Sequence, residues 1–591
     1  MSYFLPDDEA VLTACRGLAL THPGIGLCTD PLYLLATRPA RRRRVALVTG
    51  GGAGHEPLHT GLLGRGGLDA VVPGAVFTSP GSAQIAAASR AAAALRPRDG
   101  VLHIVKNYTG DRINFGLAAD QLRSAGIPVA EVVVDDDLAT DAVPTGRRGT
   151  GAAVVVEKLL GALADRGADL DGLAELGGRV AGASRSLAVC ARAHTSPVGR
   201  APAFRLRPDE LDYGIGIHGE RAAHTVRPGP VGAVVTRMLH RLLDAVPGTA
   251  QGVIAVISGL GGTSELELRA ISALVHRDLT AQGVHVHALA AGTYVAALDM
   301  AGFSITLTAL EPDWASLWDH PTDTPLRLPG AAAAAATTLI PPAGPAAADA
   351  PSGRAAVPAG GGRAFLDELH RICLRAHPDL TALDQATGDG DFGDNFCGGV
   401  AAAVRLADRQ GLTGTNALAE TFRDRVGGSS GPLFGVLFTA LAPGADRPTA
   451  DVPALAGALR RALNRITAIG GACPGDCTLV DALAPAAEAL AATAPAESGR
   501  AVTNAALAAI GGAHGTAVLT ARRGRASYTG GHSEGVPDPG AVAVALVLTA
   551  LAQVHEPRLA GELPGLHGIT RAAASLAGNR DETPARALKR P

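Results

Sequence analysis

The sequence predicts two dissimilar halves, an α/β half followed by an all-α half, and three observations carry that reading. Before residue 329, short runs rich in β-branched residues alternate with Ala- and Leu-rich stretches. Between 329 and 362, Pro, Ala and Gly dominate and no hydrophobic period survives, as in an interdomain linker. From 363 to 555, apolar residues recur at helical spacing with no strand pattern between them. At 591 residues the chain exceeds one ordinary core, so roughly three or four folding units are expected.

In chain order, the strand candidates are Val45–Val48, Val101–Val105, Val129–Val134, Gly252–Ile257 and Val284–Ala288, and their alternation with helical stretches predicts parallel strands. Glycine and polar clusters follow several of these runs: Gly50–Gly54, Lys106–Asp111 and Ser258–Gly262. Ligands of open α/β sheets sit at the carboxyl ends of strands, so these clusters mark a candidate site. Past the linker, Phe365, Leu366, Leu369, Ile372 and Cys373 form the apolar stripe of a first helix. Residues 556–591 read as a polar tail.

Composition narrows the function. With 52 basic and 55 acidic side chains the net charge is −3, which gives no footprint for nucleic acid or an anionic membrane. A hydrophobic fraction of 47% excludes a mostly disordered chain. No run of about 18 apolar residues free of breakers suggests a membrane span, and the acidic start lacks the blocks of a signal peptide. Seven scattered cysteines suit reduced thiols, so a cytoplasmic location is expected. Cys473 and Cys477 lack a second ligand pair for zinc.

The strongest local signal is Asp384, Asp389 and Asp391, set around Gly388 and Gly390. If the glycines turn the chain back on a helix ended by Asp384, three carboxylates converge, and such a cluster needs a divalent cation, most naturally Mg²⁺ shared with nucleotide phosphates. A solvated Asp/Gly turn is the alternative that spacing alone leaves. Gly427-Gly-Ser429-Ser430-Gly431 offers hydroxyls and bare N–H groups for a phosphate, with Pro432 opening the next helix. Gly475–Asp481, with Thr478 and Leu479, has the same loop-to-helix character, and Arg525 stands beside small residues. No Walker A motif is present. His55-Glu-Pro-Leu-His59 satisfies the zinc-protease pattern, but Pro57 favours a first helical turn and leaves His55 outside the helix.

These segments in this order, together with Gly214–Glu220, Gly261–Ser264 and Asp299–Ser304, resemble the fused single-chain dihydroxyacetone kinases over residues 1–555. The resemblance implies a ketose-binding domain of two α/β lobes over 1–328, a linker over 329–362, and an ATP- and Mg²⁺-binding domain over 363–555 built as an antiparallel eight-helix barrel. It implies that His218 holds the ketose as a hemiaminal, that Asp111 and His55 form the acid/base pair, and that Gly52, Ser79 and Lys106 surround the substrate. It further implies that Asp384, Asp389 and Asp391 bind two Mg²⁺ ions, that Ser429, Ser430, Gly431, Thr478, Leu479 and Arg525 contact ATP, and that the protein is a homodimer. The implied activity is phosphorylation of dihydroxyacetone, with erythrulose as the close rival and a ketose sensor without turnover as the reading from another class. Four positions depart from the family pattern. Ala53 replaces a common serine beside the ketose; Phe392 replaces a histidine, Asp394 adds a fourth acid, and Cys477 replaces a basic residue near the phosphates.

Overall fold

The computed structural model describes residues 4–6, 8–95, 99–143, 146–196, 201–222, 225–330, 361–388, 390–447, 449–523 and 535–570. The chain divides into two compact units, Met1–Pro342 and Ala343–Pro591. The residues on either side of that division, including most of the expected linker, lie outside the described residues.

The first unit opens with helix α1 (Ala10–Thr21) and strands β1 (Ile25–Thr29), β2 (Leu32–Ala36), β3 (Ala46–Ala53) and β4 (Ala70–Val76). Helix α2 (Ser82–Leu95), β5 (Val101–Lys106), α3 (Thr109–Ser124) and β6 (Val129–Val134) complete a six-stranded sheet of order β1-β2-β4-β3-β5-β6. Its inner pairs, β4/β3, β3/β5 and β5/β6, are parallel. The glycines expected in a loop after the first strand belong to β3 itself. Gly50, Gly51 and Gly52 stay in register with Val72, Pro73 and Gly74, and a Cβ on Gly50 would lie 2.4 Å from the Val72 carbonyl oxygen.

Helices α4 (Ala152–Asp165) and α5 (Leu170–Gly182) lead into the second sheet. It comprises β7 (Ser184–Arg192), β8 (Leu211–Tyr213), β9 (Thr225–Val226), β10 (Val253–Gly259), β11 (Val286–Gly292) and β12 (Ala301–Ala309), in the order β11-β10-β12-β7-β8-β9. Helices α6 (Val231–Ala245), α7 (Glu265–Ala281) and α8 (Trp314–Trp318) accompany it. The expectation of parallel strands holds only for β10/β11 here; the other four pairs are antiparallel. The turn between β11 and β12, residues 293–300, is too short for the crossover that a parallel return needs. All five strands read from the sequence are present.

Helix α4 is buried along nearly its whole length and packs against β5 and β6 of one sheet and β7 and β12 of the other, so both sheets share one core. Asp136, just past β6, receives hydrogen bonds from Thr150 N (2.7 Å), Ala152 N (2.9 Å) and the Ser186 hydroxyl of β7, which ties the first turn of α4 to the second sheet.

In the second unit the described residues are helical: α9 (Gly361–Thr387), α10 (Phe392–Gln410), α11 (Gly414–Asp424), α12 (Ser430–Ala445), α13 (Val452–Gly470), α14 (Val480–Ala492), α15 (Ala501–Gly515), α16 (Pro539–His555) and short α17 (Leu566–Thr570). Each long helix packs on the next, and α16 returns to α9. The stretch read as a polar tail begins with ordered structure. The Glu556 carboxylate accepts from Val502 N (3.0 Å) and Thr503 N (2.8 Å) at the start of α15, and the Thr570 hydroxyl donates to Asp379 of α9 (2.6 Å). No helix among the described residues is long and apolar enough to cross a membrane.

Candidate active site

Three parallel strands end at one edge of the first sheet and bring the predicted side chains together. Lys106 is the last residue of β5, Gly52 lies at the end of β3, and Ser79 follows β4. Asp111 sits in the first turn of α3, where the helix N-terminus favours a carboxylate. Its Oδ1 accepts from the Ser79 hydroxyl at 2.5 Å. Lys106 and Asp111 are both buried. Burial drives the Lys106 ammonium toward proton loss, and the carboxylates of Asp111, Glu157 and Glu56 oppose that. A Cβ on Gly51 would come within 2.7 Å of Lys106 Nζ, and one on Gly52 within 2.7 Å of the Phe77 backbone. The bare strand edge is therefore what admits both.

His55 is fully buried, with Nδ1 2.8 Å from the Ala296 carbonyl oxygen. A carbonyl only accepts, so Nδ1 carries the proton and Nε2, which has no partner among the described residues, presents its lone pair. Burial, with help from the charge on Lys106, holds the His55 pKa well below the usual histidine value. Residues 55–59 form turns, and no α-helix starts at Pro57, so a metal pair on one helical face is excluded for a reason other than the one expected.

His218 comes from the second sheet, in the segment after β8 that Ile215 and Ile217 anchor in the core. Its ring lies edge-on to His55 (4.8 Å), Phe77 (5.4 Å) and Tyr108 (4.6 Å). Phe77 holds its place with a left-handed backbone, φ 57°, at a cost of about 1 kcal/mol. Glu220, to which the sequence alone assigns no role, accepts from the His218 backbone N–H (2.9 Å) and faces Nδ1 at 3.0 Å. Burial raises the Glu220 pKa, but the hydrogen bond and charge of His218 outweigh it and bring the carboxyl down to about 2. Arg148, 3.9 Å from Glu220 and hydrogen-bonded to Asp137, backs the carboxylate. With Nδ1 committed to Glu220, Nε2 is the free nitrogen of His218.

Ala53 does not join this ring cluster. It lines an apolar cavity of about 610 Å³ with Cys15, Leu18 and Leu326, and none of His218, Lys106 and Asp111 lines it.

In the second unit a cavity of about 220 Å³ is lined by Asp384, Asp391, Phe392, Asn395, Ser429, Ser430, Thr478, Leu479, Arg523, Asp538, Pro539 and Gly540. Asp384 lies in the last turn of α9, Asp391 directly precedes α10, and the Phe392 N–H donates to Asp384 at 3.0 Å. Ser429 and Ser430 open α12. Gly431 has no room for a Cβ, which would lie 1.8 Å from the Val426 carbonyl oxygen. The Thr478 hydroxyl accepts from Val480 N (3.2 Å) at the start of α14. Asp389 and Arg525 lie outside the described residues. Asp394, expected to add a fourth acid near the phosphates, is exposed and pairs with His377 of α9 at 2.7 Å instead. The further carboxylate is Asp538, the N-cap of α16, which the Asp-Pro-Gly signal of a helix start could have flagged. Burial, then Asp481 and Asp384, push the Asp538 pKa up to about 7. Hard oxygen donors and surplus negative charge around one cavity fit a divalent cation. No group of three His, Cys, Asp or Glu among the described residues is assembled tightly enough to be a metal cage. Cys477 is buried with its thiol pointing to the Thr516 carbonyl (3.5 Å), a packing role, and Cys473 is exposed.

A family model described as the Dak1 domain matches residues 16–326, and one described as the DAK2 domain matches 386–553. The chain belongs to the dihydroxyacetone kinase family. It is 36% identical to the triokinase/FMN cyclase of Homo sapiens over 92% of this chain and 97% of that one. Its identity to the L-erythrulose 1-kinase of Mycolicibacterium smegmatis is 33%, over 94% of this chain and 99% of that one. The dihydroxyacetone kinase of C. freundii in complex with AMP-PNP and Mg²⁺ matches with TM-score 0.55 and 30% identity, covering 94% of this chain and all of that one.

Proposed function

We propose that this family member is an ATP- and Mg²⁺-dependent kinase that phosphorylates the terminal hydroxyl of a short ketose. Dihydroxyacetone, giving dihydroxyacetone phosphate, is the first substrate and erythrulose the alternative. The observation that carries the reading is His218, with Nδ1 held by Glu220 and its ring against His55, on the same unit as the buried Asp111 and Lys106.

Nε2 of His218 adds to the ketone carbon as the carbonyl π bond opens onto oxygen, which takes a proton from water, and the Nδ1 proton, held by Glu220, is released to water in turn, giving a neutral hemiaminal. A polyol has no carbonyl to trap, so on this reading glycerol is not a substrate. Asp111, oriented by Ser79, accepts the proton of the substrate hydroxyl as that oxygen attacks the γ-phosphorus of ATP, and neutral His55 assists through Nε2. Lys106 and the bare edge at Gly52 hold the substrate oxygens. Asp384, Asp389 and Asp391 would hold Mg²⁺, and Ser429, Ser430, Gly431, Thr478, Leu479 and Arg525 the nucleotide. Two Mg²⁺ ions bound there supply charge neutralisation along the phosphates.

The same reading assigns ketose binding to 1–328, a linker to 329–362 and ATP binding to 363–555, the last as an eight-helix antiparallel barrel. The consecutive packing of α9 to α16 and the return of α16 to α9 support the barrel. A cytoplasmic homodimer fits the seven free cysteines and the family resemblance. ADP release is measured with ATP and Mg²⁺ against dihydroxyacetone, both erythrulose enantiomers, glyceraldehyde and glycerol, with Asp389→Ala as control. Turnover of a ketose but not glycerol, lost in the variant, supports the kinase. A folded protein that turns over none of them refutes it in favour of a ketose sensor.

A further inference from the structure

Behind Lys106 lies a buried polar pair that the reaction above does not use. Glu157 sits in the middle of α4 among Val, Leu and Ala and is fully buried. One carboxylate oxygen contacts Nδ1 of His59; the other has no partner among the described residues, and neither has Nε2 of His59. The Thr49 hydroxyl, 3.5 Å from the same Nδ1, gives its proton to the Ile104 carbonyl at 2.7 Å and so does not serve the imidazole. The open edge of His59 turns toward Lys106. The point where a Cβ on Gly51 would lie is 2.7 Å from Lys106 Nζ and 3.6 Å from His59 Nε2, so both nitrogens border one small volume over that glycine. An unpaired carboxylate in an apolar helix costs several kcal/mol, so this one needs a partner that a second aliphatic residue would not.

The composition adds an independent observation. Of 52 basic side chains only Lys106, Lys158 and Lys589 are lysines. This chain uses arginine almost everywhere for positive charge, and arginine does not release its proton in proteins. At position 106 it keeps the basic side chain that does.

We propose that His59 and Glu157 are positioning residues that store the proton of Lys106, with one mobile proton distributed over the three buried groups. In one form Lys106 is an ammonium, His59 carries its proton on Nδ1, and Glu157 is a carboxylate. In the other, Lys106 is an amine, His59 carries its proton on Nε2, and Glu157 is a carboxylic acid; Nζ and Nε2 share no direct hydrogen bond, so the two forms exchange through the small volume over Gly51 that both nitrogens border. Both forms have zero net charge, so the exchange places no uncompensated charge in the core. The ionisable groups facing Lys106 are Asp111 on α3, Glu157 on α4, Glu56 after β3, and the imidazoles of His55 and His59. Burial favours the amine of Lys106 and the acid of Glu157, which draws the two ends of the relay together in proton affinity. Without Glu157, a protonated Lys106 has lost one of the anions that retain its charge, and it releases its proton to solvent at lower pH.

The inference rests on Lys106 facing the ketose, and its test is independent of turnover. Lysine labelled with ¹³C at the ε-carbon gives the full chain three labelled sites, and the Lys106 signal is identified by its absence in Lys106→Met. In Glu157→Gln the titration midpoint of Lys106 should fall by about one pH unit or more while that of Lys158 stays in place. Glu157→Leu, which packs with the apolar neighbours in α4, is read in the same way should the glutamine variant fold poorly. If the kinase reading also holds, the alkaline limb of kcat/KM for the ketose moves to lower pH by the same amount. An unchanged Lys106 midpoint in a folded Glu157 variant overturns the proton store, whatever the kinetics. A shifted midpoint in a protein that phosphorylates no ketose leaves the store standing and removes the kinase reading alone.

Discussion

Replacing Glu220 by Gln keeps the length and shape of the side chain and leaves an oxygen to accept from Nδ1 of His218, yet it removes the negative charge that faces the imidazole at 3.0 Å. That charge matters most when Nε2 bonds to the ketone carbon, because the ring then gains positive character that only a nearby anion offsets. The Glu220 carboxyl lies at about 2 against an ordinary 4.5, a gap that corresponds to roughly 3 kcal/mol before screening. The Glu220 side chain is 39% exposed, so solvent screening reduces the usable part to about 1 kcal/mol, or roughly fivefold in the hemiaminal equilibrium. Because the folded-state pKa is depressed, the contribution is complete above about pH 4.5 and is lost only as the pH falls toward 2, so kinetics between pH 7 and 8 see all of it. The assay is titration with dihydroxyacetone ¹³C-labelled at the carbonyl, whose bound signal reports the tetrahedral carbon, alongside initial rates. The expected result is ketose affinity and KM weakened about fivefold with kcat at saturation within about twofold. A KM identical to that of the wild type would refute the argument that Glu220 supports the covalent step.

Asp111→Asn should abolish turnover while ketose binding persists; loss of binding as well would mean that Asp111 holds substrate instead of accepting its proton. Gly51→Ala places a methyl 2.7 Å from Lys106 Nζ, the far end of a flexible side chain, so the lysine shifts and the ketose KM should rise by about tenfold with little change in Tm. Gly50→Ala meets the Val72 carbonyl at 2.4 Å, which is backbone, and should instead lower Tm, as thermal unfolding would show. The raised pKa of Asp538 means that the metal-free protein is relieved of a half-buried charge as the pH falls through about 7 toward the unfolded-state value of 3.8. Mg²⁺ should therefore raise Tm more at pH 8 than at pH 6, measured against EDTA, and an equal rise at both would count against a cation among these carboxylates.

The sequence by itself determined the division into an α/β part and a helical part, because period-2 runs of Val and Ile and 3.6-period Ala/Leu stretches are local properties of the chain. It also marked candidate segments at strand ends and turns, while the roles proposed for His218, Lys106 and Asp111 within them came from the family resemblance and not from the residues alone. The tertiary structure alone decided which of them meet. Asp394 looked like a fourth phosphate-site acid and proved to pair with His377, while Asp538, distant in sequence, lines the cavity with Asp384. The direction of the strands in the second sheet, the union of β3 with its glycines, and the contact of Glu157 with His59 were likewise hidden. The reason is physical. A residue's secondary structure is set largely by neighbours within a few positions, whereas the proton affinity of a carboxyl or an imidazole is set by burial and by charges that the fold brings from a hundred residues away.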